Sequence, residues 1–291
     1  MSKPKAAVLM SCYNGEPYLR AQIDSILAQT YPVLTIYAHD DGSSDGTGAI
    51  LAEYAGERLR LIAPGEHLGY PRCFYALLEQ VDDAEYYAFS DQDDVWMPEK
   101  IERAIDMMEA RGGSKTPLMC FCASEKCDAD LSVQSVRRAP DFMGLAAYPL
   151  LASTAPGFAM VISRALRDLI AAHPTEQHHD WLVCRAAYYL GEILHDPTPL
   201  AKHRGHDSSY TIANRTAGLT KEQARDKTWA AFRADNAEFL RVYGDLLSPA
   251  QKKEISTFSS ASKWSRALYP KRLRKGLGSE LRLRMTFLRE K

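Results

Sequence analysis

The chain has 291 residues, 46% of them hydrophobic and 25% charged, an ordinary globular composition with length for one large domain or two small ones. No segment approaches the roughly 18 consecutive apolar residues that span a bilayer, and the N-terminal apolar run is too short for a signal h-region. The reading is therefore a cytoplasmic protein whose six cysteines are reduced and mostly buried. The net charge of −1 is unevenly spread: from Gln251 to Lys291 twelve Lys and Arg face three Glu, leaving that tail at +9 and the remainder at −10, which points to an anionic partner surface.

In chain order, Ala6–Ser11 reads as a buried strand, followed by a turn at Asn14-Gly15 and a helix from Pro17 with Leu19, Ile23, Ile26 and Leu27 at helical spacing. Leu34–His39 is a second strand, running into the turn-rich segment Asp40–Thr47, and a helix carrying Ile50, Leu51 and Tyr54 follows. Leu59–Ala63 is a third strand, and Pro71–Val81 a third helix with Phe74, Leu77, Leu78 and Val81 on one face. Tyr86–Phe89 is the fourth strand, after which Pro98 opens a helix with Ile101, Ile105 and Met108 inward. The second half is less regular, with strands at Leu118–Ala123, Gly157–Ile162 and Ile193–Pro197 and helices from Ser163 and over Asp180–Leu190. Alternating strands and helices with short connections predict an α/β fold, a mostly parallel sheet flanked by helices on both faces.

Ligands of open α/β sheets sit beyond the carboxyl ends of the strands, and three polar clusters fall there: Ser11-Cys12-Tyr13-Asn14, Asp40-Asp41 and Asp91-Gln92-Asp93-Asp94. In the last, an apolar strand runs straight into three carboxylates within four positions, which no hydrophobic core requires. On an extended chain Asp91 and Asp93 lie on one side while Gln92 points away. Such a pair suits Mg²⁺ or Mn²⁺ that keeps its other positions for phosphate oxygens and water; the alternative is a solvated acidic turn opening a helix. Cys120, Cys122 and Cys127 lack the paired spacing of a zinc site.

Seven motifs in order, SCYNGEPYL, DDGSSDGT, HLGYPR, FSDQDDVWMPEKI, APGFAMV, HHDW and HRGHD, make residues 6–212 resemble a family 2 glycosyltransferase of the GT-A (Rossmann-like) fold, nearest to the rhamnosyltransferase-like bacterial members. The resemblance implies a GT-A domain over residues 1–212, with a nucleotide-sugar-binding half (1–112) and an acceptor-binding half (113–212), followed by a helical, basic extension (213–291). It further implies metal-dependent transfer, with inversion, of a sugar from a nucleotide diphosphate sugar to an acceptor hydroxyl. L-rhamnose from dTDP-rhamnose is the nearest case and UDP the other nucleotide. The acceptor would be a saccharide or lipid-linked saccharide in surface polysaccharide or O-antigen assembly, and nucleic acid is not an expected partner.

Beside that resemblance, Ser11 and Tyr13 could flank a base, the hydroxyl bonding to it and the ring covering its face, while Asp41 accepts a pyrimidine imide proton. Asp40-Asp41-Gly42-Ser43-Ser44 also reads as an Asx-type turn capping the next helix. Arg72, at a helix start, reads as a phosphate partner or an ordinary surface arginine. Similarity to family members makes Asp93 the direct metal ligand, with His206 beside the metal or diphosphate and Asp91 next to the ribose or the metal shell. Asp94 would cap the helix that Pro98 opens, or reach the sugar. Asp180 matches the family's base, its other reading being an N-cap for the helix that follows. Gly157 fits an acceptor-side loop where backbone approaches ligand closely, with Trp181 on the same side. The basic tail admits three readings: a helical extension on anionic lipid at the inner face of the membrane, with Leu268, Leu273, Leu277, Leu281 and Leu283 as its apolar side; a surface for a partner or second subunit; or a solvated end. The rivals are a haloacid-dehalogenase-type phosphatase, since Asp91-Gln92-Asp93-Asp94-Val95 also fits its nucleophile motif, and a non-catalytic nucleotide or carbohydrate binder.

Overall fold

The computed structural model describes residues 3–62, 67–140, 143–152, 155–206, 220–260 and 262–289. The chain divides into two compact units, residues 1–139 with 155–206 and residues 140–154 with 207–291. The segment Pro140–Thr154 thus groups with the C-terminal extension and not with the acceptor half, and the boundary expected after residue 212 lies outside the described residues.

The first unit runs β1 (Ala6–Cys12), α1 (Leu19–Leu27), β2 (Leu34–Asp40), α2 (Thr47–Tyr54), β3 (Leu59–Leu61), α3 (Arg72–Gln80), β4 (Tyr86–Ser90), β5 (Val95–Trp96), α4 (Lys100–Glu109), β6 (Leu118–Cys127), β7 (Val133–Arg137), β8 (Met160–Ser163), α5 (Arg164–Ala171), α6 (His179–Leu190) and β9 (Glu192–Arg204). One sheet holds all nine strands in the order β3-β2-β1-β4-β8-β6-β9-β5, with β7 beside β6. The regularly alternating N-terminal half is parallel throughout, β3 to β4. Beyond β4 the pairing turns antiparallel, apart from β6 with β9. Strand alternation sorts the side chains: Ala6, Val8, Met10 and Cys12 of β1 join one core cluster with Ile23, Ile26, Ile50, Ile101 and Met108 of the helices. On the opposite face Phe89 meets Phe74 of α3 edge-on at 5.9 Å.

The irregular half departs from expectation at several points. The strand read at Gly157–Ile162 begins as a 3₁₀ turn over Gly157–Ala159, and only Met160–Ser163 pairs. The third strand stops at Leu61, while Ala63 lies outside the described residues. β5 has two residues and β7 is largely exposed, so neither carries a hydrophobic pattern to read. The largest difference is β9, thirteen residues where five were expected. Pro197 and Pro199 look like a strand end, yet they fall where the ladder slips: Cys122 faces Asp196, but Ala123 faces Pro199 and Ser124 faces Ala201. A bulge there accommodates residues that have no N–H to donate. Asp196, buried at this slip, accepts from Thr198 N at 2.9 Å and from Arg103 Nε and Nη2 at 2.7 and 3.1 Å. Past the bulge β9 continues to Arg204, and β5 pairs against it, Val95 with Lys202 and Trp96 with Ala201.

The second unit contains α7 (Lys221–Tyr243), α8 (Pro249–Ser259), α9 (Lys263–Ala267) and α10 (Leu277–Leu288). Two of these helices open with reciprocal capping boxes, Thr220 with Gln223 and Ser248 with Gln251. Phe239, Tyr243, Ile255, Phe258, Leu273 and Phe287 are buried among them, and Asn236 Nδ2 donates to Leu150 O at 3.0 Å, tying in the 140–154 segment. Among the described residues no helix is long and apolar enough to cross a membrane.

Arg103→Ala should destabilise the protein by about 1–2 kcal/mol at pH 7, the lower end for a charged hydrogen-bonded pair because the guanidinium is nearly half exposed. Its partnership, opposed by burial, holds the Asp196 carboxyl below the usual range. The lost stability is therefore present above the unfolded carboxylate pKa near 4 and vanishes as pH falls below it. Urea titrations of both proteins at pH 7 and pH 3.5 check this; a gap that persists undiminished at the lower pH would assign it to packing.

Candidate functional site

The segment after β4 is pinned by a polar stripe on α1. Gln22 Nε2 donates to Ser90 Oγ at 2.8 Å, Ser25 Oγ accepts from Trp96 N at 3.1 Å, and Gln29 donates to Met97 O at 2.7 Å while accepting from Ile101 N at 3.1 Å. Gln22 and Ser25 share one face of α1, and Gln29 follows just past its end. Gln92 serves a purpose the sequence does not announce. Its Nε2 donates to Tyr13 O at 2.8 Å and its Oε1 accepts from Tyr13 N at 2.7 Å, joining the ends of β1 and β4. A Cβ at residue 15 would lie 2.3 Å from that Oε1, so a side chain there would push Gln92 off Tyr13.

The first two loops are stitched together as well. Ser44 N donates to Asn14 Oδ1, Asn14 N to Ser43 Oγ and Gly15 N to Thr47 Oγ1, at 2.8 to 2.9 Å. Asp40 and Asp45 serve as turn carboxylates, accepting from Ser43 and Thr47. Tyr13 is exposed, its ring 5.0 Å from that of His67. The buried Asp41 accepts from Leu68 N at 2.6 Å and Gly69 N at 2.8 Å, with His67 Nδ1 at 3.2 Å and His39 Nε2 at 3.4 Å. A base reaching Asp41 would share oxygens that already hold the 67–69 turn. Burial pushes the Cys73 thiol up to about 11, with Ser11 acting to lower it. Arg72 makes a two-point ion pair with Glu176 in solvent, at 3.0 and 3.1 Å, which a phosphate would have to displace.

The acidic cluster is met by the end of β9. Asp94, fully buried, accepts from His203 Nδ1 at 3.1 Å and Arg204 N at 3.2 Å. It does not cap α4: the N-cap position belongs to Glu99, because pairing of β5 with β9 turns Asp94 toward that strand. Asp93 Oδ2 lies 2.6 Å from His206 Nε2, and Asp93 O accepts from Arg204 Nε at 2.9 Å. Arg204 also reaches Ala129 O and sits 5.0 Å over the Tyr18 ring, which in turn packs on His206 at 4.5 Å. His203 stacks flat on Phe158, centroids 4.9 Å apart at 8°. Burial, then the charges of Asp94 and Asp93, push the Asp91 carboxyl well above its ordinary range, and burial raises Asp94 despite the His203 bond. For His203 burial acts to lower the pKa, but the hydrogen bond and charge of Asp94, with Asp91 and Asp93 beyond, outweigh it and raise it. Behind the cluster, Lys100 is buried with Nζ 3.4 Å from the centre of the Trp96 ring, and burial draws its amine down to about 8.

Asp180 lies in the first turn of α6, where a carboxylate complements the helix dipole, but the N-cap is His178 and the capping alternative does not hold. Asp180 Oδ1 accepts from Trp181 N at 2.9 Å and from the Tyr70 hydroxyl at 3.3 Å. Burial pushes its pKa up to about 6, and its charge is felt at Asp91. Trp181 is half-buried, with the Arg185 guanidinium 5.5 Å over its ring. What approaches Gly157 closely is a protein side chain: a Cβ there would lie 2.5 Å from His179 Nε2. His179 is enclosed by Phe74, Phe89 and Tyr70 at 4.2, 4.8 and 5.5 Å, and burial lowers its pKa to about 3, so it is neutral. Among the described residues no three His, Cys, Asp or Glu side chains converge as a ready-made cation site. The pair Asp93 and His206 is brought together; Gln92, Tyr70, His203 and Arg204 complete the site without having been singled out, though the last three lie inside the HLGYPR and HRGHD motifs.

Residues 7–115 match the sequence profile of Glycosyl transferase family 2. The chain carries a family 2 glycosyltransferase domain. An uncharacterized glycosyltransferase of Rickettsia typhi is 26% identical over 238 residues, 79% of this chain and 71% of that protein. The dTDP-rhamnosyl transferase RfbG of Shigella flexneri is 35% identical over 105 residues, 34% of this chain and 36% of its own length. The Escherichia coli enzyme WfgD, a UDP-Glc:alpha-D-GlcNAc-diphosphoundecaprenol beta-1,3-glucosyltransferase, is 32% identical over 102 residues, 35% and 40% of the two chains. Among solved structures, S. aureus TarS 1–349 in complex with UDP-GlcNAc superposes with a TM-score of 0.64 at 18% identity, over 88% of this chain and 71% of that one. The mannosyltransferase PcManGT of Pyrobaculum calidifontis, in complex with GDP-Man and Mn²⁺, gives 0.59 at 17% identity, over 99% and 86%. The fold of this glycosyltransferase is GT-A, with a helical C-terminal region, and the phosphatase alternative falls away.

Tyr70 favours the charged form of Asp180 by donating to it, so Tyr70→Phe should move the Asp180 pKa above about 6. Carbon-13 NMR of the carboxyl resonances measures this directly; a titration that stays put or moves down would show that the hydroxyl leaves Asp180 untouched.

Proposed function

We propose that the protein transfers a sugar, with inversion, from a nucleotide diphosphate sugar to an acceptor hydroxyl in bacterial surface polysaccharide assembly. The observation that carries this reading is Asp180, a buried carboxylate whose pKa burial raises to about 6, in electrostatic reach of a second carboxylate cluster in which burial and mutual charge raise Asp91 and Asp94. Titratable neighbours set at different values are how a site divides acid–base work from charge stabilisation.

Asp180, ionised above about pH 6, takes the acceptor's hydroxyl proton as that oxygen attacks the anomeric carbon. The bond from that carbon to the diphosphate oxygen breaks on the opposite face, which inverts the configuration, and the nucleoside diphosphate leaves with the bonding pair. Asp93 and His206 offer a hard oxygen and an imidazole nitrogen 2.6 Å apart, a donor set that suits Mn²⁺ or Mg²⁺ once diphosphate oxygens and water fill the remaining positions. Such a cation supplies the positive charge that the departing diphosphate requires. Ser11, Tyr13, Asp41, Arg72 and Asp91 hold the nucleotide, and Asp94, Gly157 and Trp181 shape the sugar and acceptor side. Likeness to RfbG supports dTDP-rhamnose as the donor, and likeness to WfgD supports a lipid-linked acceptor.

Asp93→Asn should weaken metal-dependent binding of the nucleoside diphosphate by about tenfold or more, the order of effect of losing one charged ligand contact. Isothermal calorimetry with and without Mn²⁺ tests it, and unchanged, metal-independent affinity would remove Asp93 from the metal site. Asp180→Asn should retain donor binding and lose transfer by about 10²-fold or more. In the unmodified enzyme the rate should fall as pH drops through about 6, where Asp180 takes up its proton. Transfer at the normal rate in the asparagine variant would leave Asp180 a purely structural role.

A further inference from the structure

We propose that the outer face of α9, the linker after it and α10 is a docking surface for an anionic lipid bilayer. This deepens the membrane-facing part of the functional reading and rests on it for its purpose only, because the surface is legible in the second unit alone.

On α10 the residues Glu280, Leu283 and Phe287 are buried, and these set the inward face. Leu277, Leu281 and Met285, at intervals of four, form a stripe turned about 130° from that face at about 100° per residue. The stripe is left in water: Leu277 is 79% exposed and Leu281 64%. Arg282 and Arg289 project along its edge away from the core, both exposed. On α9, Trp264 and Leu268 are also spaced by four and are 60% and 72% exposed. Arg284 donates to Ala267 O, Tyr269 O and Lys271 O, so the linker is tied to α10. That linker exposes Lys271, Arg272 and Lys275.

Charge selects the occupant. From Lys263 to Arg289 the one carboxylate is Glu280, and it is turned inward, accepting from Leu273 N, Arg274 N and Arg284. The outer face therefore combines large apolar side chains with the exposed cations Arg272, Lys275 and Arg282, the pairing that lets a helix lie at an anionic headgroup boundary with its apolar residues in the acyl region. A second copy of the chain would bring like charges together, and a nucleic acid would gain nothing from the leucines. Leu273 and Leu283, two of the five leucines that gave the tail its amphipathic look, belong to the core instead.

The test is co-sedimentation of the full chain, without donor sugar, on vesicles of phosphatidylcholine containing 30% phosphatidylglycerol. Binding is expected, weakening as salt rises, absent on pure phosphatidylcholine, reduced about fivefold by each of Lys275→Ala and Arg282→Ala, and reduced about tenfold or more by Leu277→Glu with Leu281→Glu. Unchanged circular dichroism and melting of these exposed-site variants keep a loss of binding from being a loss of fold. No binding, equal binding to neutral vesicles, or a dimer in light scattering that the double leucine variant dissolves would each overturn the proposal. Because no transfer is measured, vesicle binding with an inactive Asp180→Asn variant, or activity without vesicle binding, separates the fate of this inference from that of the proposed reaction.

Discussion

Two like charges about 4 Å apart near a protein surface repel by about 4 kcal/mol, and the turn after β4 must hold three carboxylates within four residues. Much of the first unit is arranged to make that tolerable. The counter-groups come from the far end of the chain's last strand: His203 and Arg204 N on Asp94, Arg204 Nε on the Asp93 carbonyl, His206 on the Asp93 carboxylate. They arrive only because β9 survives two prolines, and it survives them because the ladder slips there and Asp196, held by Arg103, closes the bulge. A surface arginine on α4 thus bears on the geometry of a site built from other elements. From the opposite side the polar stripe of α1 fixes the same turn, so the cluster is clamped from two directions before any ligand arrives.

Burial acts on His179, Asp91, Asp94 and Asp180 with different outcomes. It makes His179 neutral, which suits a ring packed against Phe74 and Phe89 and touching the backbone at Gly157. It raises the pKa values of Asp91 and Asp94, with the charges of the neighbouring carboxylates adding to the effect. Asp180 experiences the same burial, but two donors, Trp181 N and Tyr70, restrain it near 6. A base needs that intermediate value, since one that ionises too easily accepts a proton poorly and one that does not ionise cannot accept it at all.

The parallel half of the fold was legible because each strand and helix there carries its own periodicity and its own turn, and the strand ends then located the loops. Legibility failed where structure depends on a partner distant in sequence. Nothing local says that Gln92 bonds both backbone groups of Tyr13. Asp94 looked like a cap because a helix follows it; a two-residue strand intervenes and redirects it to β9. Gly157 reads as an acceptor-side loop position, and nothing local in the sequence says that His179, a neighbour only in the folded chain, packs against it. Asp93 with His206 and Asp180 with its helix were placed by motif order, not by pattern, since spacing alone cannot bring together residues more than a hundred positions apart.

The charge asymmetry of the chain takes on a more specific meaning in the folded second unit. A basic tail rich in leucine is consistent with a solvated end, with a core that needs its leucines inside, or with an amphipathic surface, and composition does not choose among them. The folded unit divides the leucines: Leu273 and Leu283 serve the core, while Leu268, Leu277 and Leu281 are left outside next to the exposed cations Arg272, Lys275 and Arg282. Burying a side chain of this size is worth about 1.5–3 kcal/mol, so leaving three of them and a tryptophan in water is a standing cost for which the unit's own packing offers no return. A surface that forgoes that much hydrophobic stabilisation is explained most simply by a second solvent, apolar within and anionic at its boundary, and both properties match what this face presents.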